Sequence, residues 1–409
     1  MNRFRVSEWL KGSLLAIPAL FVLGAVGLSA LTLAVAEHLP APSFASVLFR
    51  GSSTTAQAIL STIAASTVTL TGLVFSVTML VLQLTSSRYS PRVLRSFLRD
   101  RTSKITLGIF VGTFTYCLAV LRTIDVDSGA QPGLATSVAV LLALATVAAF
   151  VQYINHIARR IRVSSIIESV TKETDTAIDV HFPGPTSHAP ATPAQEEPAG
   201  ATVASTTKGV LLVADVAKLV ASARCADCRV DVLVRSGEFV PRGGPLFEVR
   251  PAEAVERLGK SLERHVVLGV ERTMQGDPAY GFRQLVDIAE LSLSPAVNDP
   301  TTAVQALDAI HDLLRRLAAR PFPTGRHHDQ DGELRVRMPE MTWDDYLDLA
   351  VDEILVYGSG SLQVRGKLRS MLEDLATAAS PERREAVRGK LGQLARVHDV
   401  PLPPRAPST

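Results

Sequence analysis

Four long apolar runs crowd the first part of this chain, and a half of ordinary mixed composition follows them. The runs cover about residues 13–36, 59–84, 105–121 and 134–154. A bilayer core takes about 20 helical residues, so each run predicts one membrane-crossing helix. Small residues close the first run at Ala34-Val35-Ala36, as at a signal cleavage site, but the run is longer than a signal core of about 7–15 residues. It therefore reads as a retained helix. The apolar period of run four continues through Ile157, Ile161, Ile167 and Val170, which predicts one unbroken helix to about residue 178.

Run two differs from the others. Thr62, Thr69, Ser76 and Gln83 recur every seven residues, with Ser66 nearby, and form one polar stripe on a helix. Such residues commonly pack helices together; more rarely they line a pore in an oligomer. Gly72 beside the stripe, and Gly108-xxx-Gly112 in run three, permit close backbone approach. After run two, SSRYSPRVLRSFLRDR places Arg88, Arg92, Arg95 and Arg99 on one side of a predicted amphipathic helix. Anionic lipid head groups are its expected partner.

Basic residues cluster before run one, between runs two and three, and after run four, while the other two loops are poor in charge. The positive-inside rule then puts the basic segments, both termini and the soluble half in the cytoplasm. The spans hold almost no ionisable residues, which argues against proton-coupled carriers and intramembrane enzymes.

The soluble half mixes periods. Residues 181–207 are rich in Pro, Ala and Thr and read as a linker. Residues 210–213 and 229–235 are strand-like, Asp215 can cap a short helix between them, and SGEFVPRGGPLFEV carries turn signals around short strands. This stretch is similar to hairpins of barrel-sandwich (lipoyl-like) domains, without a lysine at a hairpin tip. Residues 279–291 predict a helix with Phe282, Leu285 and Ala289 inward and Arg283 paired with Asp287. Asp299 and Pro300 start the next helix, whose buried stripe is Ala303, Leu307, Ile310 and Leu314. Thr342 with Asp345 begins another helix that Gly358 ends, and Ser361 and Ser380-Pro381 begin two more.

The densest polar cluster gathers Arg272, Thr273, Asp277, Arg283, Asp287, Asn298 and Asp299. It reads as a capped inter-helix corner or, less commonly, as a small-ligand or cation site. No nucleophile-and-base arrangement accompanies it, so an enzyme is the last choice. Cys225 and Cys228 form one CxxC, which supplies at most two of the four ligands zinc wants. No metal or other cofactor is expected.

Composition narrows this picture further. The chain has 409 residues, 47% hydrophobic, with formal net charge +2, which argues against a nucleic-acid partner. The expected organisation is a four-helix transmembrane domain over 1–155 and a helical extension over 156–180. A linker follows over 181–207, then a cytoplasmic α+β domain over 208–338, a helical bundle over 339–400 and a disordered tail over 401–409.

FSVTMLVLQLTSSRYSPRVLRSFLRD (75–100) and RQLVDIAELSLSPAVNDPTTAVQALD (283–308) resemble a bacterial family of predicted integral membrane proteins, domain-of-unknown-function family 2254. The order of spans, VLVRSGEFVPRGGPL and the YGSGS stretch near 357 fit as well. The resemblance implies an inner-membrane location and assigns no activity. The sequence thus favours a channel or transport-like homo-oligomer regulated by its cytoplasmic domain. The alternative is a membrane-anchored ligand sensor or scaffold.

Overall fold

A computed structural model of the chain describes residues 16–38, 52–88, 101–124, 133–160, 162–182, 199–274 and 276–397. The fold divides into two compact units, Asn2–Ser165 and Ile166–Thr409.

The first unit contains helices α1 (Ala16–His38), α2 (Ser53–Arg88), α3 (Arg101–Leu121) and α4 (Gly133–Arg160). Each is long and apolar enough to cross a membrane. α3 packs against the other three and buries Phe110, Tyr116, Cys117 and Val120. Its two glycines do what their spacing predicts. A Cβ at Gly108 would fall 2.6 Å from the Phe21 ring of α1, and one at Gly112 would fall 3.3 Å from the Phe21 carbonyl. Lys104, read from sequence as a loop residue, lies in the first turn of α3 and is buried.

Helices in lipid gain little from apolar contact alone, so hydroxyl ties matter. Tyr116 Oη lies 3.1 Å from Thr32 Oγ1 and donates to the Ala135 carbonyl at 3.1 Å. Tyr153 Oη lies 2.6 Å from Thr78 Oγ1, and Thr113 meets Thr146 at 3.1 Å. These pairs join α1 to α3, α2 to α4 and α3 to α4.

The expected unbroken helix to residue 178 is not formed. α4 ends at Arg160 and α5 (Val163–His181) starts anew, with the Ser165 amide donating to the Arg162 carbonyl. The interruption falls within a knot of like charge at Arg159, Arg160 and Arg162. The local sequence outweighs the apolar period there.

The second unit combines two sheets with a layer of helices. The strands are β1 (Ala201–Ala204), β2 (Gly209–Ala214), β3 (Arg229–Val232), β4 (Phe239–Val240), β5 (Pro245–Arg250), β6 (Val266–Gly269), β7 (Arg326–His328) and β8 (Leu334–Arg337). One sheet has the order β1-β5-β3-β8-β7 and the other β4-β2-β6. Only β3 and β8 pair in parallel among the described strands. Leu211, Val230, Leu246, Phe247 and Val336 form their shared core with Leu219 of α6 (Val216–Cys225) and Leu262. The expected linker is shorter than 181–207, because residues 201–204 alternate and pair with β5.

The helices beyond α6 are α7 (Ala254–Leu258), α8 (Pro278–Leu293), α9 (Pro300–Ala318), α10 (Trp343–Tyr357), α11 (Leu362–Ala378) and α12 (Pro381–Val397). The inward residues read from sequence, Phe282, Leu285, Ala289, Ala303, Leu307, Ile310 and Leu314, are all fully buried. Caps set the starts. Asp277 accepts from the Tyr280 amide, Asp299 from Thr302, and Ser361 from Val364, while Thr342 and Asp345 form a reciprocal capping box. Sheet and helix layers interleave along the chain, since the β7–β8 hairpin returns to the sheet between α9 and α10. The tail over 401–409 lies outside the described residues.

Candidate functional site

The polar stripe of run two stands on α2, and its position in the helical unit is unambiguous. Thr62, Ser66, Thr69, Ser76 and Gln83 are all exposed, while Ala56, Leu60, Ala64, Thr67, Val74 and Val81 turn inward. The stripe therefore faces away from its own bundle. Three of its hydroxyls donate to the carbonyl four residues back: Thr62 to Ala58 at 2.7 Å, Thr69 to Ala65 at 3.1 Å, Ser76 to Gly72 at 2.9 Å. Their donors are satisfied and their oxygen lone pairs remain outward. A Cβ at Gly72 would meet nothing within 4 Å, so that surface of α2 is open to another molecule.

The polar cluster of the second unit does not converge on one point. Arg272 grips Asp277 with two nitrogens, at 2.8 and 3.0 Å, just ahead of α8. Burial is the main influence on the Asp277 carboxyl and raises its pKa, with Arg272 opposing. Thr273 Oγ1 beside this pair is buried without a hydrogen-bond partner. Asp287 lies about 15 Å further along α8 at 1.5 Å per residue. Asn298 and Asp299 follow the far end of the helix. Asn298 is exposed in a left-handed turn (φ +47°), with its amide on the Ser294 carbonyl at 2.8 Å. Asp299 is held below the usual carboxylate range by the hydrogen bonds from Thr302 that make it a cap. These residues fix corners.

Arg283 gathers more than the sequence announced. It reaches Asp287 at 2.6 Å, Glu290 at 3.0 Å, and Glu353 of α10. Three carboxylates around one guanidinium leave excess negative charge. Burial first, and then the hydrogen bond and charge of Glu353, push the Glu290 pKa up to about 7. Glu353 is lowered as the acceptor of that hydrogen bond. Only the tertiary fold brings Glu353 here; α8 alone announces just the i, i+4 pair.

A family model described as "Predicted membrane protein (DUF2254)" matches residues 11–374. The chain belongs to this family. Uncharacterized proteins of Mycobacterium bovis and Mycobacterium tuberculosis are each 32% identical to it over 413 residues, which is 97% of this chain and 78% of theirs. No solved structure matches.

In this DUF2254 chain, Cys225 is exposed at the end of α6 and Cys228 is buried, and both thiols are free. Burial raises the Cys228 pKa, which makes it a poor nucleophile at neutral pH. Among the described residues no group of His, Cys, Asp or Glu is arranged to hold a metal ion. Arg92, Arg95 and Arg99 lie outside the described residues, as does the side chain of Arg88 at the end of α2.

Proposed function

We propose that this protein assembles as a homo-oligomer in the bacterial inner membrane, with the α2 stripe lining a path for ions or small solutes under control of the soluble unit. The outward stripe carries the reading. From Thr62 to Gln83 it runs about 32 Å at 1.5 Å per residue, close to the roughly 30 Å of a hydrocarbon core. Lipid tails offer nothing to the Gln83 amide or to the outward hydroxyl lone pairs, whereas water in a pore does. The spacing supports the same assembly. A seven-residue stripe drifts by about 20° per heptad on a straight helix and keeps facing one axis in a left-handed supercoil. Copies of α2 around an axis meet that condition.

Leu73 and Leu80 fall within the same sector at about 100° per residue, and both are exposed. Set among hydroxyls, they are suited to narrow a pore to the point of dewetting. The arginines between runs two and three, with those after run four, favour cytoplasmic placement of the soluble unit and both termini. Arg88, Arg92, Arg95 and Arg99 suit anionic head groups at that surface.

Flux measurements on the full chain in liposomes test the reading. Leu80→Ser should raise basal flux by about tenfold or more by wetting the constriction. Thr69→Leu and Ser76→Leu should abolish flux while cross-linking still traps the oligomer. A silent wild type whose oligomer falls apart in the leucine variants would leave the stripe as packing and favour the membrane-anchored sensor or scaffold.

A further inference from the structure

Among the described strands, the five-stranded sheet ends at β7, and a groove of about 620 Å³ runs beside that edge. One wall is α6, through Val216, Ala217, Val220, Ala221 and Arg224. The other wall is β7 with the two residues after it, positions 326–330. Consecutive side chains of a strand point to opposite faces. A wall that includes every residue of β7 is therefore the backbone edge of the strand.

The hydrogen bonds of the hairpin fix what that edge offers. The Gly325 carbonyl accepts from the Met338 amide at 2.8 Å, and the Asp329 amide donates to the Glu333 carbonyl at 2.9 Å, both toward the β8 arm. Bonding alternates along an antiparallel ladder. The N–H and C=O groups of Arg326 and His328 therefore point away from β8, into the groove. A free edge of this kind is a template for another strand. The walls also agree in length. From Val216 to Arg224 α6 runs about 12 Å at 1.5 Å per residue. Four steps of strand run about 13 Å, so the groove holds four or five residues of extended chain.

Charge and face decide what kind of chain fits. Val336 of β8 is buried in the core with Leu219 and Ala223 of α6, and His327 lies opposite Val336. That face of the sheet is the one α6 covers, and the outer side of α6 above the groove is small and apolar. Arg326 and His328 project from the other face, where Arg326 has Arg337 opposite it on β8. Arg224 and Arg326 are exposed, and among the described residues no carboxylate pairs with either. The acid of the wall, Asp329, is 1% exposed and already held by Arg335 at 2.7 Å. The groove is thus apolar under the helix and positive beyond it.

We infer that this groove receives an extended peptide of a partner protein, which adds to β7 as a further strand. Its small apolar residues turn under α6, and its alternate, acidic residues turn to the face of Arg326. In such an addition the main-chain hydrogen bonds give affinity and alternate side chains give specificity. A second copy of this chain does not fit, because its own β7 edge carries α6 beside it and the two helices would collide. The inference does not depend on a pore.

The probe is a blocked hexapeptide that alternates valine with glutamate and carries fluorescein. Its anisotropy is followed against the full chain in phosphatidylcholine nanodiscs, with empty nanodiscs as the blank. A saturable rise with half-saturation below about 1 mM is expected. Only one edge of the peptide bonds to β7, so two forms N-methylated on alternate residues should differ by about tenfold or more. Arg326→Glu should weaken binding by about tenfold and favour the same peptide with lysine in place of glutamate. Ala221→Trp fills the groove and should remove binding. Both substitutions stand at exposed positions and leave the core intact. No saturable binding overturns the inference, as does equal affinity of the two methylated forms. Undiminished binding by Ala221→Trp overturns it by placing the peptide elsewhere. A lysine peptide that binds the wild type as tightly refutes the acidic partner.

Discussion

Among the described residues of the helical unit, neutral hydroxyl pairs tie helices together, such as Tyr116 with Thr32 and Thr113 with Thr146. In the second unit arginine–carboxylate pairs do this work, joining helix to helix as Arg283 does with Glu353, or loop to helix cap as Arg272 does with Asp277. A hydroxyl in an apolar helix can fall back on its own backbone, as Thr32 does on the Ser29 carbonyl at 3.0 Å. A buried carboxylate has no such refuge. Removing one partner should therefore cost little in the first unit and much in the second, and the polar groups that stay outward in the first unit become the ones to explain.

The largest effect should come from Arg272→Ala. Asp277 is 6% exposed and would be left charged and unpaired except for one backbone donor. Breaking a buried pair from one side typically costs about 3–5 kcal/mol. Thermal unfolding of the full chain, followed by Trp343 fluorescence in the Trp9→Phe background, measures the loss. Adding Asp277→Asn to Arg272→Ala should recover part of it, since the orphaned charge then disappears while a capping oxygen remains. If the double variant is no better than the single one, the cost lies in lost packing and the comparison fails.

Glu290→Gln probes the same unit at a site where charge is in excess. The Glu290 pKa rises from 4.5 to about 7 on folding. A raised pKa means that the folded state prefers the protonated acid. Its stabilisation is fully present below pH 4.5 and is lost as pH rises through 7. Glu353 is shifted downward and works in the opposite sense at lower pH. Between pH 5.5 and 8 the wild type should lose about 1–2 kcal/mol, after discounting the shift for partial exposure. Glu290→Gln keeps a neutral donor toward Glu353 and should flatten that slope. A slope that survives in Glu290→Gln would place the titration elsewhere.

How much of this was readable beforehand follows the range of each interaction. The caps at Asp277, Asp299, Thr342 and Ser361 are local, and so were legible, as were the buried stripes of α8 and α9. The β7–β8 hairpin was not, because Arg326-His327-His328 and Leu334-Arg335-Val336-Arg337 are short and polar and earn strand geometry only by pairing. β8 meets β3 across about a hundred positions, which no local pattern encodes. The break between α4 and α5 was not legible, because the apolar period of Ile157, Ile167 and Val170 runs on across it. The stripe of α2 was visible as a stripe, yet its outward direction needed Leu60, Val74 and Val81 to be seen buried on the opposite face. In the candidate site, the Arg283–Asp287 pair was legible and Glu353 was not.

Tyr116→Phe should give the smallest effect, and it tests the other side of the comparison. The phenol ties α1 to α3 and α3 to α4 through Thr32 and the Ala135 carbonyl. Its removal leaves Thr32 with its backbone acceptor and the ring still packed among Ala25, Leu60 and Ala139. No donor is orphaned and no cavity opens. The cost should be near the average inter-helix hydrogen bond in a membrane, about 0.6 kcal/mol. Unfolding of the full chain in mixed micelles, with Arg272→Ala measured alongside, gives the ratio directly. A loss in Tyr116→Phe comparable to that of Arg272→Ala would mean that the hydroxyl ties hold the helical unit as firmly as buried charges hold the second one. The outward hydroxyls of α2 would then need strong partners of their own.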